Sequence, residues 1–480
     1  MISLRRTLVA ALMLCAALGN RGWAGEDAAN PMQLPKTILA LRGDETDRTQ
    51  LRIVFDRTRD GATVAPITAW IGADYVALID GKRMTITDLR LRRRFVVDEE
   101  AGTLVNLSLY GDVMFRRVEL VRRMEIAAVL TKDHSDVPQS FDPFWIESEL
   151  GITGVGKQLE AAPHQDGDTT VFNYAGQQIA SVTPSDTAVP SDVDHAYGTF
   201  VHTLPFHPSI ARWLSANGQV PKRLDFISEA RGKTEKISLR LRTASAQAAD
   251  FPIPSRLSVV LLPWGGDDPD VGLLHEILPR MGEAMTARAD REKGVADDRA
   301  AIAADFKDGH KFAAALRLTE LALRWGRSAA QCDPVDGAGP CLTRTEIDRE
   351  LRGDPRSVAM FKATALQDHD PAKALAIWRD IDRSDVPNGY VVDVFTARLL
   401  SESGDRAAAA KAFAAAFAGD PNIVALYREV GDHFARASRL DLAWLCYDLG
   451  RALPNREPPD ALTGIDDIEQ QLAAHYPDLF

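Results

Sequence analysis

Several things are scarce in this chain of 480 residues, and each absence narrows what it does. Four cysteines, with no histidines at ligand spacing beside them, are too few for a zinc centre. Basic residues do not predominate: the net charge of −12 argues against a general nucleic-acid binder, which needs cations to displace counterions. Beyond the N-terminus no apolar run is long enough for a transmembrane helix. Linear catalytic motifs are missing too. Gly151–Lys157, GITGVGK, has the skeleton of a phosphate loop, but Gln158 lacks the hydroxyl that would hold Mg²⁺ and no apolar strand precedes it. His275-Glu276 begins a zinc-protease motif whose second histidine is replaced by Pro279. His195, His202 and His207 fit neither one helix face nor a zinc hairpin, and Asp166 and Asp168 beside His164 read as loop residues. Asp267, Asp268 and Asp270 lack a calcium ladder, with Gly272 where a ligand should stand. No metal and no cofactor is therefore expected. An enzyme is not excluded on these grounds, because active sites assemble in space.

What is present begins with Met1–Ala24: two arginines, a short apolar run, then Gly22-Trp23-Ala24. This predicts a secretory signal peptide cut after Ala24, with retention as an anchor the alternative. Leu14 before Cys15 is too large for lipoprotein processing. Export, to a bacterial periplasm, would place the remaining cysteines in an oxidising compartment. Cys332 and Cys341 bracket the turn-rich DPVDGAGP and are expected to form a disulfide, whereas Cys446 is expected to be a buried free thiol.

From Thr49 the hydrophobic pattern has period two. Strands are predicted around Leu51–Phe55, Val64–Ile71, Tyr75–Ile79, Arg83–Thr87, Arg93–Val97 and Thr103–Leu109, with Asp80-Gly81 and Asp98–Gly102 as hairpin loops. Asp112–Lys132 changes to helical spacing, with Phe115, Val118, Val121 and Ile126 as its apolar face and two arginine pairs beside them. Residues 133–167 read as a long loop. Strands resume at Thr169–Tyr174 and Gln178–Thr183, then Ala196–Leu204. A short helix from Pro208 ends at Gly218, and a last hairpin joins Pro221–Ser228 to Glu235–Thr243.

Two stretches carry a resemblance. TAWIGADYVALIDGKRMTITDLRLRRRFVVDEEAGTLVNLSL, and the closing VPKRLDFISEARGKTEKISLRLRTASAQAADFPIPSRL with its Phe-x-x-Pro exit, are similar to the hairpins of the periplasmic lipoprotein-carrier (LolA/LolB-like) superfamily. The resemblance covers 35–262 and implies a curved, unclosed β half-barrel whose concave face receives acyl chains. On it Trp70, Phe95, Val97, Leu107 and Leu109 are the candidates for an apolar cargo face. Residues 133–167 and 184–195 depart as insertions, and the arginine-rich strand is unusual for a lipid-lined wall.

A linker is expected at 263–283, rich in Pro, Gly and Asp. Beyond it the sequence copies itself. Ala374, Ala409 and Ala443 are 35 and 34 residues apart; Trp378, Phe413 and Tyr447 follow one turn later, and Pro387, Pro421 and Pro454 close the units. Ala397 and Gly431 lie twelve residues before two of those alanines, where paired helices must approach; Lys362 breaks the pattern in the first unit. Over roughly 355–455 this resembles the tetratricopeptide (TPR) family, and it implies a helical solenoid with a concave groove, within a helical domain expected over 284–480. Carried across position by position, Arg356, Arg398, Arg428 and Arg436 would point into that groove. The asparagines of a carboxylate clamp are replaced by Met360, Phe395 and Glu429.

The fold class expected is thus α+β multidomain, a half-barrel-like antiparallel β domain followed by a TPR-like solenoid. The function expected is that of a non-catalytic exported envelope protein. Its repeats would bind a protein partner and its β domain would dock or hold apolar cargo. The alternatives are a lipid or lipoprotein carrier whose repeats only stabilise or dimerise it, and an envelope hydrolase. An apolar cavity in the β domain would favour the carrier.

Overall fold

Period-two alternation needs a sheet to receive it, and one sheet takes every strand among the described residues. A computed structural model describes residues 31–42, 49–132, 141–154, 159–230, 233–261, 269–286, 291–325, 344–453 and 461–480. The predicted signal segment and the Cys332–Cys341 pair lie outside them. Cys446 is buried with its thiol free. Among the described residues are a 12-stranded open sheet and 16 α-helices, an α+β chain. It clusters into two units: Trp23–Pro263 together with Glu469–Phe480, and a helical unit that includes Trp264–Ile468.

The first unit opens with α1 (Pro35–Arg42). A meander follows: β1 (Thr49–Arg59), β2 (Ala62–Ile71), β3 (Tyr75–Asp80), β4 (Arg83–Asp88), β5 (Arg93–Asp98) and β6 (Thr103–Ser108). Each strand pairs antiparallel with the next. Next come α2 (Leu109–Lys132), α3 (Pro143–Leu150), β7 (Ala162–Asp166), β8 (Thr169–Tyr174) and β9 (Gln177–Ala188). After them are α4 (Asp194–His202), α5 (Pro208–Asn217), β10 (Gln219–Ala230), β11 (Lys233–Ala248) and β12 (Ser258–Val259). The spatial order is β12-β6-β5-β4-β3-β2-β1-β11-β10-β9-β8-β7, with only β12 joining in parallel. The Ala175-Gly176 turn holds both residues at positive φ, 52° and 79°, the conformation that suits the twist of a two-residue hairpin.

Three expectations change here. Residues 143–150 and 162–166, read as loop, form α3 and β7. Ala196–Leu204, read as strand, is mostly α4, because Ala196, Tyr197, Phe200 and Val201 repeat at helical spacing and all four are buried. The helix α2 forms where predicted but faces the other way. Leu109, Val113, Leu120 and Ala127 turn inward, while Phe115, Val121 and Ile126 are 46–49% exposed. Its arginines set this orientation. Arg116 bonds Asp112, which also receives Arg94 from β5, and Arg123 bonds Glu119 and, at 2.5 Å, Glu149 of α3.

One sheet face is closed by a buried charge. Ile38 of α1 and the strip Phe251, Ile253 and Leu257 pack on Tyr75, Ala77, Ile86, Phe95, Val97 and Leu104. Through this layer runs Arg42, 2% exposed. It donates to the fully buried Asp88 at 2.5 Å and to Asp74, with its guanidinium carbon 4.1 Å from the Phe251 ring centroid.

The helical unit holds α6 (Pro269–Thr286), α7 (Arg291–Lys307), α8 (Lys311–Trp325), α9 (Arg344–Leu351), α10 (Pro355–Leu366) and α11 (Pro371–Asp380). It continues with α12 (Tyr390–Ser403), α13 (Arg406–Gly419), α14 (Val424–Arg436) and α15 (Leu440–Arg451); α16 (Thr463–His475) runs on into the first unit's segment. In place of a linker at 269–283 stands α6, burying Val271, Leu274, Ile277 and Met281. Asp354, Asp370 and Asp405 cap α10, α11 and α13 by accepting a backbone N–H three residues on. The periodic residues Ala374, Ala397, Ala409, Ala443, Trp378, Phe413 and Tyr447 are all 1% exposed or less. Gly431 is needed where α14 meets α15: a Cβ there would lie 2.2 Å from the Tyr447 ring.

Removing one partner of a buried ion pair strands the other charge. Arg42→Met should therefore cost about 3–5 kcal/mol in urea unfolding, and adding Asp88→Leu should recover part of it. An unchanged unfolding midpoint in Arg42→Met would show that the pair does not hold this face.

Candidate functional site

Alternation sorts the expected cargo residues onto different faces. Trp70, Phe95 and Val97 lie on the face covered by α1 and the 251–257 strip, where Phe95 and Val97 are wholly buried and Trp70 packs against them. Leu107 pairs with Arg94, not Phe95, and so lies on the opposite face. Leu109 begins α2 and lines a cavity on that opposite face. The five are therefore not one surface.

The cavity has a volume of about 370 Å³, within the usual size of ligand sites. Its floor is Val76 and Leu78 of β3, Thr85 and Thr87 of β4, and Arg94 of β5. One wall is the first half of α2, with Leu109, Asp112, Val113, Phe115 and Arg116; another is the end of α3, with Ser148, Glu149, Leu150 and Gly151. The remainder comes from Thr199 and His202 of α4, the following Thr203, Leu204 and Pro205, and Leu479.

Leu479 reaches the cavity because the segment after α16 folds onto the sheet unit. Its short helix Pro477–Leu479 is held along α4: Thr199 Oγ1 donates to the Asp478 carbonyl at 3.1 Å, and His195 Nε2 lies 3.1 Å from the Phe480 carbonyl. His202 Nε2 is 3.4 Å from the Asp478 carboxylate. The Phe480 ring stacks on Tyr110 at 4.9 Å. Behind α4 and α3, Tyr174, Phe144 and His207 stack in series, and His207 Nε2 meets the buried Glu147 at 3.0 Å. That buried pair fixes the end of α3 that forms the cavity wall.

An ionic cluster lies in the cavity's lining. Asp112 accepts from Arg94 at 2.9 Å and from Arg116 at 2.6 Å. Burial favours its neutral form, but the two guanidiniums outweigh it and hold the carboxyl below its usual range. Two cations meet this one anion, and the rest of the lining mixes aliphatic side chains with Thr85, Thr87, Ser148, Thr199 and Glu149, which Arg123 bonds. Neither protein-family models nor curated protein sequences give a match to this chain. The site is therefore read from its own geometry.

In the helical unit the four expected groove arginines are all engaged within the chain. Arg356 bonds Asp385 at 2.6 Å, and Arg428 donates to the Ala461 carbonyl at 2.9 Å. Arg398 and Arg436 come together on Glu402, at 3.1 and 3.6 Å. The fold also assembles a set with no linear signature. Ser401 Oγ lies 2.9 Å from His433 Nδ1, and His433 Nε2 lies 3.8 Å from Asp270. All three are 5% exposed or less. Burial pushes His433 down to about 4, Arg436 donates to Ser401, and Arg406 pairs with Asp270. The 3.8 Å contact is too long for a hydrogen bond. This Ser–His–Asp set ties α6 to α12, α13 and α14.

Among the described residues no group of His, Cys, Asp or Glu could hold a metal ion, and no helix is long and apolar enough to cross a membrane.

Because Asp112 titrates lower folded than unfolded, it adds stability above the unfolded aspartate pKa of about 3.9, and that stability is lost as pH falls through the folded value. Asp112→Asn should cost about 1.5–3 kcal/mol at neutral pH. The gap between the urea midpoints of parent and variant should narrow steadily as pH falls below the unfolded aspartate value of about 3.9. A gap that does not narrow would mean that the loss is one of packing.

Proposed function

We propose that the sheet unit binds an apolar chain carrying an acidic head group, and that the protein acts as a carrier or chaperone of lipid or lipidated cargo. The observation that supports this is the cavity itself: aliphatic side chains interleaved with threonines, with the Arg94–Asp112–Arg116 cluster at one place. The aliphatic part of the lining suits a hydrocarbon, and the two arginines suit a carboxylate or phosphate that would share them with Asp112. On this reading the open sheet serves as a half-barrel of the LolA/LolB-like kind. The cargo faces α2, and the residues around Phe95 are simply core.

A second reading concerns the helical unit, taken as a TPR-like solenoid that grips a protein in the envelope. Val358 and Phe361, one turn apart on α10, are 46% and 47% exposed. This apolar pair supports partner binding better than the groove arginines do, since these are paired internally. The export signal expected at Met1–Ala24 fits both readings.

Val113 is 1% exposed and lines the cavity, so Val113→Trp should fill it. The full-length parent should take up a fluorescent fatty acid, and the variant should bind it at least about tenfold more weakly with its helix signal retained. No uptake by the parent would end the cargo reading. Crosslinking in intact cells tests the other unit: Val358→Asp with Phe361→Asp should remove the captured partner, and undiminished capture would place partner binding elsewhere.

A further inference from the structure

The helix α2 carries an apolar face that the fold leaves uncovered. Phe115, Val121, Ile126 and Val129 are 46–58% exposed. At 3.6 residues per turn they share an arc of roughly 140° over roughly 20 Å of helix. They are four of the seven large hydrophobic residues exposed among the described residues, so the exposure is concentrated here. Charge is concentrated as well. The helix has five basic residues (Arg116, Arg117, Arg122, Arg123, Lys132) against three acidic ones (Asp112, Glu119, Glu125), in a chain of net charge −12. Arg116 and Arg123 turn inward to their carboxylates. Arg122 and Lys132 are exposed, with Glu125 the acidic residue on that side.

We propose that this face of α2 docks on an anionic phospholipid bilayer, the apolar residues entering the head-group boundary and the cations meeting lipid phosphates. Charge complementarity selects the bilayer. Arg122 sits inside the arc between Val118 and Ile126, and a flat protein partner would have to bury its guanidinium. At a bilayer the same side chain reaches back to the phosphate layer while its neighbours go deeper. Phe115 belongs both to this face and to the cavity lining, so the cavity lies next to the docking surface. The inference deepens the carrier reading, since a carrier exchanges its ligand with a membrane, but it stands on separate residues.

The test is flotation of the full chain with vesicles of phosphatidylglycerol or of phosphatidylcholine, at low and high salt. The parent should float with the anionic vesicles and be released by salt. Ile126→Asp with Val129→Asp should reduce binding at least tenfold, and Arg122→Glu with Lys132→Glu should bring it to the phosphatidylcholine level. Fatty-acid uptake from solution should stay at the parent's value in both variants, so failure of the docking surface is told apart from failure of the cavity. No flotation with either vesicle overturns the proposal, as does flotation that neither variant alters. Dimerisation abolished by Ile126→Asp with Val129→Asp, without vesicle binding, would assign the face to a second copy and overturn it too.

Discussion

A sheet with two apolar faces must be covered twice, and that constraint organises the first unit. Successive strand residues point to opposite sides, so the pairing of Ala77, Ile86, Phe95 and Asn106 fixes one layer. Val76, Leu78, Thr85 and Thr87 are thereby fixed as the other. The first layer is sealed dry by α1, the 251–257 strip and Arg42. The second meets helices that stand off far enough to leave a cavity. Ion pairs decide how they stand: Arg94, Asp112 and Arg116 set the rotation of α2, and Arg123 ties it to α3. The same bonds that turn the arginines inward push Phe115 and Ile126 outward.

Buried charge plays different parts in the two units. Arg42 between Asp88 and Asp74 holds a peripheral helix onto a core. In the helical unit Arg324 gathers Asp298, Glu320 and Asp420, linking α7, α8 and the residue after α13. Such pairs contribute little net stability over apolar packing, but they penalise misplacement severely. They therefore specify which elements meet, a task that alanine-rich helices with many similar surfaces perform poorly by themselves.

Local periodicity was legible. The meander strands, the hairpin glycines and the small-then-aromatic repeat of 374–447 could be read because each rests on neighbours within a few residues. Facing was not. Phe115, Val118, Val121 and Ile126 have the spacing of a core stripe, and only Arg94, which shares Asp112 with Arg116, and Glu149, which pairs with Arg123, both distant in sequence, reveal that the opposite side is buried. The helix α4 escapes a strand-or-helix reading because Thr199, Val201 and Thr203, β-branched residues at alternate positions in Ala196–Leu204, imitate a strand. The helix α6 was missed because Pro279 and the aspartates imitate a linker. The cavity could not be read at all: its lining comes from three strands, three helices and Leu479, and no spacing rule connects residues 94, 112 and 479.

That last residue ties the site to the order of synthesis. A ribosome releases residues 31–263 first, then the whole helical unit, and only then the segment whose Leu479 completes the cavity. A nascent sheet unit can pair all its strands and still have an open pocket until some two hundred further residues have emerged. Chains stopped before Leu479 would keep their sheet and lack that part of the lining.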